Sequence, residues 1–274
     1  MKTTPSDESQ LSSVRLLQLT DTHLFAPQDG CLLSVNTQES FNAVVAEIVA
    51  QGTQFDALLA TGDISQDHTE ASYEKFVAGI EPLALPCYWL PGNHDYKPCM
   101  NSVVSSPLIQ DVTHVLLGEK WQVVLLDSQV VGVPHGRLSD SQLEFLDRML
   151  SAHCDRHTLV LLHHHPLLVN SAWLDQHSLK DADEFWSVVE KHDNVRAVLC
   201  GHIHQELDEM HGGVRVLATP STCVQFKPNS NEFALDVRSP GWRELELRED
   251  GCLRTEVKRL ANGSFRPDFN AEGY

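Results

Sequence analysis

Five short segments hold nearly all the residues with the means to do chemistry. They are Asp21-Thr22-His23, Gly62-Asp63, Gly92-Asn93-His94-Asp95, His163-His164-His165-Pro166 and Gly201-His202-Ile203-His204. Together they offer carboxylate, carboxamide and imidazole donors without thiolate, a set that suits Mn, Fe, Zn or Ni. Asp21, His23, Asp63, Asn93, one histidine of the triplet, His202 and His204 make seven donors, more than one tetrahedral ion takes. Seven fit two cations that share one aspartate, and cations ~3.5–4 Å apart clamp an in-line phosphoryl displacement. Each segment alone is weak, because a histidine after a strand is more often a capping or core residue. The glycines read equally well as turn residues. Aspartates gathered unpaired at one buried point would be costly, however, and cations resolve that cost.

Each segment directly or nearly follows a short apolar run. Val14–Leu19, Phe55–Ala60, Cys87–Leu90, Val123–Leu126, Thr158–Leu162 and Val195–Cys200 are predicted to be buried strands. Helical spacing recurs between them: Phe41, Val44, Val45, Ile48 and Val49 behind an Asn36/Glu39 cap pair; Tyr73, Phe76, Val77 and Ile80; Leu143, Leu146 and Leu150 behind the Ser139 capping box; and Phe185, Val188 and Val189. The alternation predicts a layered α/β fold. Ligands in such folds bind beyond the carboxyl ends of the strands, so five loops would meet at one place. Further on, Val214–Ala218, Glu232–Val237, Trp242–Leu247 and Leu253–Val257 read as strands, with hairpin signals at Gly212-Gly213 and Asp250-Gly251. They are expected to complete a second sheet. Without repeats or low-complexity linkers, one domain is expected over residues 13–262, between loose tails at 1–12 and 263–274.

Composition narrows the partners. The chain has 274 residues, with 20 Lys plus Arg against 38 Asp plus Glu, a formal net charge of −18. That balance argues against a nucleic-acid partner. Its 42% hydrophobic content excludes a disordered chain. No apolar run approaches the ~20 residues of a membrane span, and the polar start lacks a secretory signal. A cytoplasmic protein with no membrane partner, a monomer or weak homo-oligomer, is the expectation. Seven cysteines without a Cys-x-x-Cys pair read as reduced thiols.

In their order, Asp-x-His, Gly-Asp, Gly-Asn-His-Asp, His-His and Gly-His-x-His resemble the calcineurin-like metallophosphoesterase superfamily over about residues 14–260. The resemblance implies a four-layer αββα sandwich with two mixed β-sheets and a dinuclear metal centre. Asp21, His23 and His204 match the ligands of one ion, and Asp63 matches the bridge. Asn93, a triplet histidine and His202 match the ligands of the other. Aligning Pro166 with the second proline of the family's His-His-Pro-Pro gives the triplet role to His163, the first residue past its strand, with His164 the runner-up. His94 matches a non-ligand histidine beside the phosphate, and His23, Asp63, Asn93, His94, His163 and His204 would surround the substrate.

Longer strings, Leu19–Phe25, Trp173–Leu179, Gly201–Leu207 and Ala218–Pro228, resemble the bacterial class of 3′,5′-cyclic AMP phosphodiesterases. That implies hydrolysis of cyclic AMP to 5′-AMP with two divalent ions, Fe, Mn or both, lowering intracellular cyclic AMP. His94, with Asn93 and Asp63 in the catalytic group, is the candidate proton donor to the leaving 3′ oxygen, its ring oriented by Asp95 or a carbonyl. Trp173, His177, Gln225 and Phe226 are candidates for the base, with packing as the plainer alternative. Asp127-Ser128 and His135-Gly136 belong to rim or scaffold. A broader phosphodiesterase or phosphatase of the same superfamily, a metal-free binding module and a non-hydrolysing cyclic AMP sensor are the rival readings.

Overall fold

The computed structural model describes residues 12–273. The strands run β1 (Ser13–Leu19), β2 (Cys31–Leu32), β3 (Val35–Asn36), β4 (Ala57–Ala60), β5 (Cys87–Trp89), β6 (Ile109–Gln110), β7 (His114–Leu117), β8 (Trp121–Leu125), β9 (His157–Leu161), β10 (Val195–Cys200), β11 (Leu207–His211), β12 (Val214–Ala218), β13 (Gly241–Arg248) and β14 (Leu253–Arg259). The helices are α1 (Thr37–Gln51), α2 (Glu70–Ile80), α3 (Lys97–Met100), α4 (Asp140–Ala152), α5 (Ala172–Asp175) and α6 (Ala182–Val189). One six-stranded sheet has the order β14-β13-β1-β4-β5-β6, the other β11-β12-β10-β9-β8-β7.

Side-chain parity along the strands makes the layers. Leu17, Leu19, Leu58 and Ala60 face outward onto Phe41 and Val44 of α1 and Tyr73 and Phe76 of α2. Their neighbours Leu16, Ala57 and Leu59 face inward and meet Val123, Leu125, Leu159 and Leu161 of the second sheet. On that sheet's far side, Val124, Val160 and Val198 pack against Leu146 and Leu150 of α4 and Phe185 of α6. The result is the expected αββα sandwich. Asn36 caps α1 by accepting from the Glu39 N–H (3.0 Å), and Ser139 caps α4 from the Gln142 N–H.

Two expectations need correction. Glu232–Val237 is not a strand; its one pairing is the isolated Phe226–Leu235 bridge, and Val237 is exposed. The sheets instead end in β11 and β14. Nor do all the late strands extend the second sheet. The β11–β12 hairpin does, but β13 runs antiparallel to β1 and takes β14 into the first sheet. Alternating burial reveals that a strand has an inner face, and leaves open which sheet supplies its partner. The tail expected over 1–12 lies outside the described residues apart from Ser12. In the C-terminal stretch, Phe265 packs against the buried cluster that includes Leu32, Val35 and Phe226, and the Asp268 N–H donates to the Leu33 carbonyl (2.9 Å).

Within each sheet the strands that precede the five segments are parallel, so their carboxyl ends share an edge. There the apolar layer between the sheets turns polar. Gln18 Nε2 donates to Thr61 Oγ1 (2.8 Å) and across to the Cys200 carbonyl (3.1 Å). Arg243, 2% exposed, donates from β13 to Thr219 Oγ1 (3.0 Å), Thr255 Oγ1 (3.1 Å), and the Leu207 (3.1 Å) and Ala218 (2.7 Å) carbonyls. Burial lowers the Arg243 guanidinium to about 10, which leaves it charged at neutral pH. It joins the first sheet to β11 and β12 of the second. Arg243→Ala strands several buried acceptors, so chemical denaturation should show a loss of about 3–5 kcal/mol. Unchanged stability would mean that the floor is held by the apolar layer alone.

Candidate metal centre

The site forms where the chain is strained. Of the eight candidate site residues, Asp21 (φ 54°), His23 (47°), Asp63 (51°), His202 (68°) and His204 (49°) lie in the left-handed region. That conformation costs side-chain-bearing residues of order 1–3 kcal/mol each and persists only when the surroundings impose it. Here neighbouring loops impose it on one another. The Asp21 N–H donates to the Gly62 carbonyl (3.0 Å), the His23 N–H to the Asp63 carbonyl (2.9 Å), and the His202 N–H to Asp21 Oδ1 (3.1 Å). Gly92 and Gly201 have ordinary backbone angles, so turn geometry does not explain them. A Cβ on Gly92 would lie 2.1 Å from Asp63 Oδ1, and one on Gly201 2.2 Å from Thr20 Oγ1. Gly92 is glycine because the loops after the paired strands β4 and β5 touch there, and Gly201 because a loop of the second sheet touches one of the first.

The structure brings the seven expected donors together. Asp21, His23 and His204 form one group, with ligand atoms within 4.8 Å of one another. Asp21 Oδ1 is 3.4 Å from His204 Nε2. Asp63 lies beside this group, 3.9 Å from His23 Nε2, and reaches the second group at 3.2 Å from His163 Nε2. His163 Nε2 also faces Asn93 Oδ1 (3.1 Å) and His202 Nδ1 (3.2 Å). His94 is half-buried, its ring 5.0 Å from that of His23, and its N–H donates to Asp63 Oδ1 (2.8 Å).

Tethering of the far ring nitrogens decides what the inner ones can do. His204 Nδ1 meets the Val224 carbonyl (2.9 Å), His163 Nδ1 the Thr61 carbonyl (2.8 Å) and His23 Nδ1 the Gln66 amide oxygen (2.6 Å). These oxygens only accept, so each Nδ1 carries the proton. In the neutral rings every Nε2 is then a bare lone pair. Yet His23 Nε2 and His204 Nε2 face each other at 3.2 Å, and His163 Nε2 faces carboxylate and carboxamide oxygens. Lone pairs so arranged repel unless positive charge lies between them. A divalent cation supplies it, and tethered histidines of this kind are how proteins hold one. The electrostatics of the group point the same way. Burial disfavours charge on His163, yet the Asp63 and Asp21 carboxylates overcome it and raise the ring to about 9. His23, where burial dominates, falls to about 3. Burial and neighbouring imidazoles hold His202 well below the usual range, and its Nε2 is buried without a hydrogen-bond partner.

Within the triplet, His163 points into the site. His164 sits beside it, with Nδ1 2.8 Å from Ser128 Oγ, under Gly136, where a Cβ would lie 2.4 Å from the ring. His165 stacks on His202 (5.6 Å, 20°) with Nε2 3.8 Å from Asp175 Oδ1. Ser128 and Gly136 are thus scaffold for the triplet. Asp127 pairs with Lys97.

Several supporting residues escaped the sequence reading. Gln66 fixes His23, and Gln129 Nε2 donates to the Gly92 and Asp95 carbonyls (2.6 Å each), tying the segment after β8 to the Asn93 loop. Asp95, expected to orient the His94 ring, has another task. Its carboxylate accepts from the Ile64 (3.0 Å), Ser65 (3.1 Å) and Gly92 (2.8 Å) N–H groups and the Tyr73 hydroxyl (3.0 Å). Burial and then the Asp63 charge raise it to about 6 against the pull of those amides. It clamps the Asp63 loop to the Asn93 loop. Nothing in Asp95's place beside His94 announced this; Tyr73, on the buried stripe of α2, is the one partner within reach of sequence pattern.

A cleft of about 470 Å³ adjoins the group, lined by Asn93, His94 and His202 and also by Val133, Trp173 and His177. Of the base candidates, Trp173 and His177 line it. Gln225 and Phe226 do not. Gln225 donates to the Ser221 carbonyl and accepts from Arg259. Phe226 is buried and stacks on the His204 ring (4.2 Å, 12°).

A four-layer sandwich whose strand ends gather carboxylate and imidazole donors around a shared aspartate defines a two-metal phosphoesterase. The chain belongs to the calcineurin-like phosphoesterase family, whose model matches residues 14–206. It is 60% identical to the 3′,5′-cyclic adenosine monophosphate phosphodiesterase CpdA of Vibrio vulnificus, covering 100% of both chains. It is 55% identical to CpdA of Escherichia coli K12, covering 95% of each. Among solved structures, a dimetal phosphatase from Danio rerio shares the fold, with a TM-score of 0.62 and 15% identity over 90% of this chain and 99% of that one.

Gly92→Ala should push Asp63 off its position without unfolding the sandwich. Metal analysis and phosphodiester turnover on the same sample should fall about 10- to 100-fold; full metal content with full activity would mean that Asp63 needs no such fit. Asp95→Asn turns a donor toward four donors and should cost about 2–4 kcal/mol in denaturant unfolding, with weaker metal retention. Wild-type values would contradict the clamp.

Proposed function

We propose that this chain hydrolyses 3′,5′-cyclic AMP to 5′-AMP at two divalent cations, with Asp21, His23 and His204 holding one, Asn93, His163 and His202 the other, and Asp63 shared. The observation that carries the reading is the Nε2 convergence: His23 and His204 face each other at 3.2 Å while their far nitrogens are tied to acceptors. The identity to the Vibrio vulnificus enzyme over the whole chain supports the substrate. A nitrogen and oxygen donor set with no thiolate suits Fe, Mn or a mixture.

Two cations bound there supply positive charge to the phosphoryl oxygens and acidify water. The chain's residues do the rest. Asn93 and His94 line the cleft beside the donor group, where the phosphodiester must lie. Water adds to phosphorus as the bond to the ribose 3′ oxygen breaks, and the departing alkoxide needs a proton. We assign that proton to His94, whose backbone is fixed by the N–H bond to Asp63. The net charge of −18 repels long polyanions and favours a small nucleotide as the partner. Among the described residues no helix is long and apolar enough to cross a membrane; a cytoplasmic monomer or weak homo-oligomer acting on the cell's cyclic AMP pool fits this reading.

Chromatography of cyclic AMP incubated with the protein should give 5′-AMP. Chelation should abolish turnover and Mn or Fe should restore it. Undiminished turnover in a metal-stripped sample, or faster cleavage of aryl monoesters than of cyclic AMP, would overturn the proposal. His94→Ala should keep both ions and lose about 10²- to 10⁴-fold in kcat on cyclic AMP. The loss should be smaller on an aryl diester, whose leaving group needs no proton. Equal losses on both would remove His94 as the proton donor.

A further inference from the structure

Much of the cleft's lining is left unexplained by metal chemistry, and Trp173 is its largest side chain. Trp173 belongs to α5, a single turn held from several sides. Asp175 Oδ1 accepts from the Val169 N–H (2.8 Å) and faces His165. The Ser178 hydroxyl donates to the Asp175 carbonyl (2.9 Å), and Leu174 is buried. The indole itself is set edge-to-face against Phe226 (4.9 Å, 80°) and Phe233 (5.1 Å, 71°). Phe226 in turn stacks on His204. An aromatic column therefore runs from a metal-site histidine to the cleft wall, so the indole position is fixed relative to the metal group. Gly132, Val133 and Pro134 line the cleft as well.

The residue type carries a second clue. Trp173 Nε1 is buried without a hydrogen-bond partner, and burying an unpaired N–H is unfavourable. For packing alone Phe or Leu would serve at lower cost. Tryptophan offers a larger π face, the feature that a nucleobase uses. Apart from Asn93, His94 and His202, the lining supplies few side-chain hydrogen-bonding groups, chiefly His177 and His68.

We propose that Trp173, braced by Phe226 and Phe233, is the platform on which the nucleobase of the cyclic nucleotide stacks. The inference rests on the cyclic-nucleotide reading above. Stacking binds the base in the ground state and the transition state alike, so its loss raises KM with little change in kcat.

The test compares cyclic AMP with base-free ribose 3′,5′-cyclic phosphate on wild type, Trp173→Phe and Trp173→Leu, with metal content and circular dichroism recorded for each. Trp173→Leu should lose about 10- to 100-fold in kcat/KM on cyclic AMP, mostly through KM, and almost nothing on the base-free diester. Trp173→Phe, which keeps a ring, should retain most of the wild-type value. Equal losses on both substrates, or Leu matching Phe, would overturn the platform while leaving cyclic AMP hydrolysis standing. A wild-type protein that cleaves neither cyclic phosphate would remove the cyclic-nucleotide reading and the platform with it.

Discussion

Asp63 sits where the loops of both sheets meet, buried, on a left-handed backbone, with its carboxylate between histidines of two groups. Those histidines are tethered by their outer nitrogens to oxygens that only accept. Their inner nitrogens consequently present lone pairs to one another and to carboxylates. This concentration of electron density in a buried place is the constraint that the rest of the molecule serves. It is favourable only around positive charge, and it makes the site a receptor for cations before any substrate arrives.

The surrounding architecture holds that unfavourable arrangement in place. Five of the strained residues are locked by hydrogen bonds between loops from different strands. Gly92 and Gly201 let backbones approach where a methyl group would collide. Asp95 draws the Asp63 and Asn93 loops together, and Gln129 ties the Asn93 loop to the second sheet. Below, Gln18 and Arg243 fasten the sheets to each other where the apolar layer ends. Precision at the metal group thus depends on a sandwich whose halves cannot slide.

Much of this was legible in the sequence, and the reason is local. A buried strand followed by Asp-x-His or Gly-His-x-His declares both its burial and the polar residues at its end, and parallel strands bring those ends to one edge. The sandwich layers followed from the same runs. Non-local information was hidden. Trp242–Leu247 alternates as a strand must, but nothing in it says that β1 is its partner. Glu232–Val237 alternates too and finds no sheet edge. Phe226, in a loop, and Trp173, on the single turn α5, are both aromatic residues of short segments, and only the fold makes one a brace under His204 and the other a wall of the cleft. Asp95 looked like a partner for its neighbour His94, whereas two of its four donors lie about thirty residues upstream in the Ile64–Ser65 loop and a third is the Tyr73 hydroxyl.

The central claim is that these converging nitrogens and the Asp63 carboxylate hold a pair of ions. Anomalous diffraction from crystals of the protein loaded with manganese tests it most directly. Two peaks per chain are expected, one within coordination distance of Asp21, His23 and His204, the other of Asn93, His163 and His202, and both touching Asp63. A single peak, or ions bound away from Asp63, would contradict it.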